Sequence, residues 1–159
     1  MAGWTDFATV AGGATAALLG LLFVAVSIRV DTIARSAELR NRSAETMSLL
    51  LIGLLASLFV AVPGQQTWAL GAELVALAVV ASGVAVVLDR RAGDTSGSAL
   101  ARAVDATNPT SVTCVLLLVS GIVLILGHPD GLYVLVPALI AVLVGCVVNA
   151  WLILVRVGG

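Results

Sequence analysis

The sequence predicts an all-α integral membrane protein, a bundle of five transmembrane helices with its N-terminus outside and its C-terminus in the cytoplasm. Three observations lead there. Of the 159 residues 60% are hydrophobic and 11% charged, with a mean hydropathy of +1.15, far from the roughly 45–50% apolar and 25% charged residues of soluble domains. The apolar residues fall in five long continuous runs, 7–30, 45–62, 68–88, 109–127 and 132–155, near the roughly 20 residues a spanning helix needs. A membrane barrel would instead alternate apolar and polar residues along strands of about ten. Finally, all eight basic residues are arginines and fall on one side of the alternating runs. Arg29, Arg35, Arg40 and Arg42 flank the first long connection, Arg90, Arg91 and Arg102 the second, and Arg156 the C-terminus. Positive charge marks the cytoplasmic side.

The same composition narrows the function. A chain of this length is expected to form a single domain, 1–159. A net charge of −1 provides no long-range attraction for nucleic acid. Cys114 and Cys146 lie inside apolar runs and form no CxxC pair, which argues against a disulfide framework or zinc site. No nucleophile with its base, metal-ligand spacing or glycine-rich phosphate loop occurs, so neither catalysis nor a cofactor is expected. Arginine without lysine, with abundant Ala, Val and Gly, suits a GC-rich bacterial genome, and the expected location is the bacterial cytoplasmic (inner) membrane. The opening MAGWTD has no basic residue before the first run and no cleavage site of small residues behind it, so that run reads as a retained span rather than a signal peptide.

The first span carries the most regular placement of small residues. At about 100° per residue, Thr5, Thr9, Gly12, Ala16, Gly20, Ser27 and Asp31 share one narrow stripe, and Ala11, Leu18, Leu22 and Val26 lie opposite. In lipid, such a face is where helix backbones approach closely and hydroxyls find partners, or where water runs. The connection DTIARSAELRNRSA has no Pro or Gly, so the first helix is expected to continue past the membrane to a turn near Asn41 or Ser43, which can cap the second span. Asp31/Arg35 and Glu38/Arg42 are spaced i, i+4 and would brace that extension. Pro63-Gly64-Gln65-Gln66 and His128-Pro129-Asp130-Gly131 read as tight turns. Gly93–Ser98 reads as a flexible run before a short surface helix, and Asn108-Pro109 as N-cap and first helical residue of the fourth span.

Glu73 is the one acid well inside a span, about 7.5 Å beyond Trp68 at 1.5 Å per residue. An intramembrane acid is costly and should face the bundle or a wet cavity. Two readings stand. Glu73 is a proton or cation site, together with Asp6, Gln65, Gln66, His128 and Asp130 on the same side, or it bonds a neighbouring helix while the others are turn residues. Asn149 is read as interhelical glue or as pore lining, on a stripe with Ala138, Ala141, Gly145 and Arg156. Thr110, Thr113, Leu117, Ser120 and Leu124 make a similar stripe on the fourth span, where hydroxyls can bond their own backbone. Arg29, with Arg90, Arg91 and Arg156, anchors the cytoplasmic ends by snorkelling; in an oligomer a ring of Arg29 could instead select anions. Pro137 falls where a proline is tolerated, so no gate is read from it.

The stretch FATVAGGATAALLGLLFVAVSIRVDTI, followed by VPGQ and LGAELV, resembles small uncharacterised actinobacterial multi-pass membrane proteins, some labelled modulator of FtsH protease. The resemblance covers roughly the first half and assigns no role to any residue. From the residues themselves, small seams on the first (Ala8, Gly12, Ala16, Gly20), second (Gly53, Ser57, Ala61) and fifth (Ala138, Ala141, Gly145) spans suggest self-association. The leading expectation is a homo-oligomeric passive channel, possible for ion transport, lined by the first-span stripe, with the lipid bilayer and further copies as its partners. The alternatives are an accessory or scaffold subunit bound to another membrane protein, and a proton-coupled small-solute carrier using Glu73.

Overall fold

In lipid every backbone N–H and C=O must be satisfied within the protein, so long apolar runs become helices whatever their content of β-branched valine. The computed structural model describes residues 2–28, 30, 33, 36–92 and 109–158, the side chains at 2, 37–38, 88–92 and 152–158 excepted. Among them are five helices: α1 (Ala2–Ile28), α2 (Ala37–Ala61), α3 (Thr67–Ala92), α4 (Pro109–Ile125) and α5 (Gly131–Gly158). All but α4 are long and apolar enough to cross a membrane. The 17 residues of α4 are at the short end of the roughly 17–25 that suffice.

Helices α2, α3, α4 and α5 pack in a ring, each on the next and α5 back on α2; α1 lies outside it, packed along α2 and grazing α5. Successive helices alternate in direction. One end of the bundle therefore carries the start of α1 and both tight turns, and the other the start of α2 with Arg40 and Arg42 and the last turns of α3 and α5; they are called here the turn end and the arginine end. Leu49, Leu50, Leu74, Leu117, Leu124, Leu135 and Val142 are fully buried and fill the interior.

Glycines set the closest approaches. A Cβ at Gly71 would lie 2.6 Å from the Gly121 carbonyl oxygen, and one at Gly121 2.7 Å from that of Gly71, so α3 and α4 cross backbone to backbone. A Cβ at Gly53 would meet Val142 at 2.9 Å and Thr15 at 3.1 Å, and one at Gly145 would meet Pro109 at 2.6 Å. The small seams on α2 and α5 are thus used within the chain.

Both tight turns follow the sequence reading, with Gly64 (φ 70°) and Gly127 (φ 84°) supplying left-handed backbone. At the end of α4, the Gly127 N–H bonds the Leu124 carbonyl and the His128 N–H that of Val123, the paired closure of a helix by a C′ glycine. Pro137 lies inside α5, which continues through it, and Pro109 opens α4 as expected. The first connection departs from expectation. The cap of α2 is Ser36, at φ −113° and ψ 114°, whose hydroxyl accepts from the Leu39 N–H at 3.4 Å. The helix break therefore precedes Asn41 and Ser43, and Asn41 to Ser43 belong to α2. A serine whose oxygen satisfies an otherwise free N–H ends the continuity that the absence of Pro and Gly suggested. Asp31, Arg35, Gly93–Ser98 and Asn108 lie outside the described residues, and the Glu38 side chain outside the described side chains.

Candidate functional site

The face of α1 that meets the bundle is Ala8, Ala11 and Thr15, flanked by Leu18, Leu19 and Leu22. Ala11, Leu18 and Leu22 are on the side opposite the small stripe, whereas Ala8 belongs to the small seam of the first span and is used within the chain. Of that stripe, Gly12 touches α2, where a Cβ would lie 3.2 Å from Ser57 Cβ; Thr5, Thr9, Ala16, Gly20 and Ser27 are exposed. Nothing lies within 4 Å of a Cβ placed on Gly20. The Thr9 hydroxyl donates to the Thr5 carbonyl and that of Ser27 to Phe23, both at 2.8 Å. Both hydroxyls are therefore satisfied by their own helix, a common arrangement for Ser and Thr in apolar surroundings. Asp31 and Arg29 fall outside the described residues, and Arg90, Arg91 and Arg156 lie on helices but outside the described side chains.

At the turn end the candidates separate. Gln65 Nε2 donates to Glu73 Oε2 at 2.7 Å, because the tight turn folds Gln65 back over the second turn of α3. Gln66 instead accepts from the indole N–H of Trp68. Asp6, His128 and Asp130 are exposed, and among the described residues the hydrogen bond to Glu73 comes from Gln65 alone. An aromatic group stands at this end: the Trp4 ring meets Tyr133 edge-on at a centroid distance of 5.0 Å and Phe7 at 6.0 Å, where amphipathic rings favour the membrane interface.

Towards the arginine end the structure shows a contact that sequence reasoning missed. Thr110 Oγ1 donates to Glu45 Oε1 at 3.2 Å, tying the first turn of α4 to α2 and setting a carboxylate at a helix N-terminus, where the backbone N–H groups favour it. The partners are separated by 65 positions, so no local spacing could pair them; the one available signal was an acid kept at the head of an apolar run. On α4, Thr110, Thr113, Leu117, Ser120 and Leu124 are all buried. Thr113 bonds the Pro109 carbonyl of its own helix at 2.7 Å, whereas Ser120 reaches the Gly131 carbonyl at the head of α5 at 2.8 Å. Asn149 is half-buried, on the same side of α5 as the buried Ala138, Val142 and Gly145. Cys114 and Cys146 are free and buried.

Among the described residues no three His, Cys, Asp or Glu side chains converge as a metal site would require. The arrangement packs α2 to α5 closely and leaves most of the small-residue stripe of α1 exposed. Fold and composition together define a multi-pass helical membrane protein. No protein-family model, curated protein or solved structure matches the chain.

Proposed function

We propose that the chain is the subunit of a homo-oligomeric assembly in the bacterial inner membrane, a passive pore whose path runs between copies. In this reading α1 of each copy lies nearest the symmetry axis, Thr5, Thr9, Gly12, Ala16, Gly20 and Ser27 line the path, and the arginine end faces the cytoplasm. The observation that carries the reading is the contrast between inside and outside. Among the described residues, the largest fully buried side chains of one chain are mostly leucine and valine. Apart from Gly12, which packs on α2 beside Ser57, the described residues of the small, weakly polar stripe of α1 are exposed. Lipid gives apolar helices no hydrophobic reason to associate, so small faces that permit close backbone approach are where copies meet.

A second reading has its own support. With the Thr9 and Ser27 hydroxyls bonded to α1 itself, the same face is suited to seat a helix of another protein. The chain would then be an accessory subunit, protease modulation included. Leucine at Gly20 and Ser27 separates the two. In liposomes, Gly20→Leu with Ser27→Leu is expected to stop ion flux while cross-linked oligomers persist; loss of the oligomer itself would favour the accessory reading.

A further inference from the structure

Glu73 is half-buried in the second turn of α3, with Leu70 and Leu77 buried on the same side of the helix. Among the described residues no lysine or arginine side chain stands on the neighbouring turns. The last turns of α2 (57–61) and α4 (117–125) contain no titratable residue, and Asp6 on α1, His128 and Asp130 in the turn, and Tyr133 on α5 are exposed. Its hydrogen-bonding partner is Gln65, through Nε2 at 2.7 Å. The other end of that amide is the anomaly: Gln65 Oε1 is buried and has no partner. A buried acceptor left unpaired is expensive, and an ionised carboxylate, which only accepts, cannot relieve it. A carboxylic acid can. Turning the amide over gives an ionised carboxylate no remedy, since two oxygens would then face each other at the 2.7 Å now spanned by nitrogen and oxygen and Nε2 would lose its acceptor.

We propose that Glu73 and Gln65 form a proton-binding site. The carboxylate takes one proton from water at the turn end and loses its single negative charge; no other group changes. The new O–H is donated to Gln65 Oε1 while Nε2 continues to donate to the Glu73 oxygen. The acid–amide pair, joined by two opposed hydrogen bonds, latches the turn at 62–66 onto α3, and losing the proton removes one bond and leaves an anion in apolar surroundings. This site does not depend on how α1 is used.

Infrared spectroscopy tests it, because a protonated carboxyl has a carbonyl band separate from carboxylate bands. With ¹³C-labelled glutamate in lipid nanodiscs at neutral pH, the wild type is expected to show one protonated Glu band, missing in Glu73→Gln. In Gln65→Leu that band should move to the frequency of an unbonded acid, or vanish as the carboxyl ionises without its partner. Should Glu73→Gln fail to fold, the wild-type and Gln65→Leu spectra still decide. A wild type with no protonated Glu band, a band that survives Glu73→Gln, or one unmoved by Gln65→Leu would overturn the proposal.

Discussion

Replacing Gly121 by alanine should be the most informative single methyl in this bundle. The added Cβ would lie 2.7 Å from the Gly71 carbonyl oxygen, 2.7 Å from Val75 Cγ2 and 3.1 Å from the Val75 nitrogen. The valine methyl can rotate aside, but the two backbone atoms move only if α3 moves. Overpacking a close-packed interior costs about 1–3 kcal/mol, and a clash with backbone belongs near the top of that range, ~3 kcal/mol. Against this, alanine improves helix propensity over glycine by about 1 kcal/mol. The net destabilisation is about 2 kcal/mol, or roughly 30-fold in the folding equilibrium. Gly83→Ala on α3 is the control: nothing lies within 4 Å of its Cβ, so only the propensity gain remains and the protein should become slightly more stable. Equilibrium unfolding in mixed micelles, titrated with a denaturing detergent, reads both. If Gly121→Ala matched Gly83→Ala, the close crossing of α3 and α4 would be wrong.

Three further outcomes are expected. Ser120→Ala removes the buried bond to the Gly131 carbonyl and should cost about 0.6–1.7 kcal/mol, the range for interhelical bonds in membranes, in the same unfolding assay. Gly127→Ala forces a side chain into left-handed backbone at φ 84° and should cost roughly 1–2 kcal/mol, seen as an earlier unfolding midpoint. Cys114 and Cys146, both buried, should resist maleimide in intact membranes and react once the bundle is unfolded; rapid labelling of the folded protein would contradict the core described here.

The helices were legible because the bilayer allows so few alternatives: uninterrupted apolar runs must be helical, and Pro63-Gly64 and His128-Pro129-Asp130-Gly131 mark where the chain reverses. The Ser36 cap was hidden among competing signals, since Asn41 and Ser43 are equally good cap residues and a connection without Pro or Gly favoured an unbroken helix. Which small residues face inward was beyond the pattern. Gly53, Gly145 and Gly20 look alike in sequence, yet the first two clear room for Val142 and Pro109 while Gly20 touches nothing; helix order in the bundle decides this, and it is a long-range property. Glu73 was recognisable by its cost in lipid, but the choice of Gln65 over Gln66, His128, Asp6 or Asp130 depends on the path of the turn. The link from Glu45 to Thr110 spans 65 positions, so no local spacing pairs its ends.

The central claim, that copies of this chain assemble through the exposed side of α1, is tested most directly by the mass of the purified particle in native nanodiscs with no other protein added. The account predicts a closed ring of several copies in which cysteines introduced by Gly20→Cys cross-link α1 to α1 between neighbours. A monomer, or a particle holding a stoichiometric foreign subunit on that face, would contradict it.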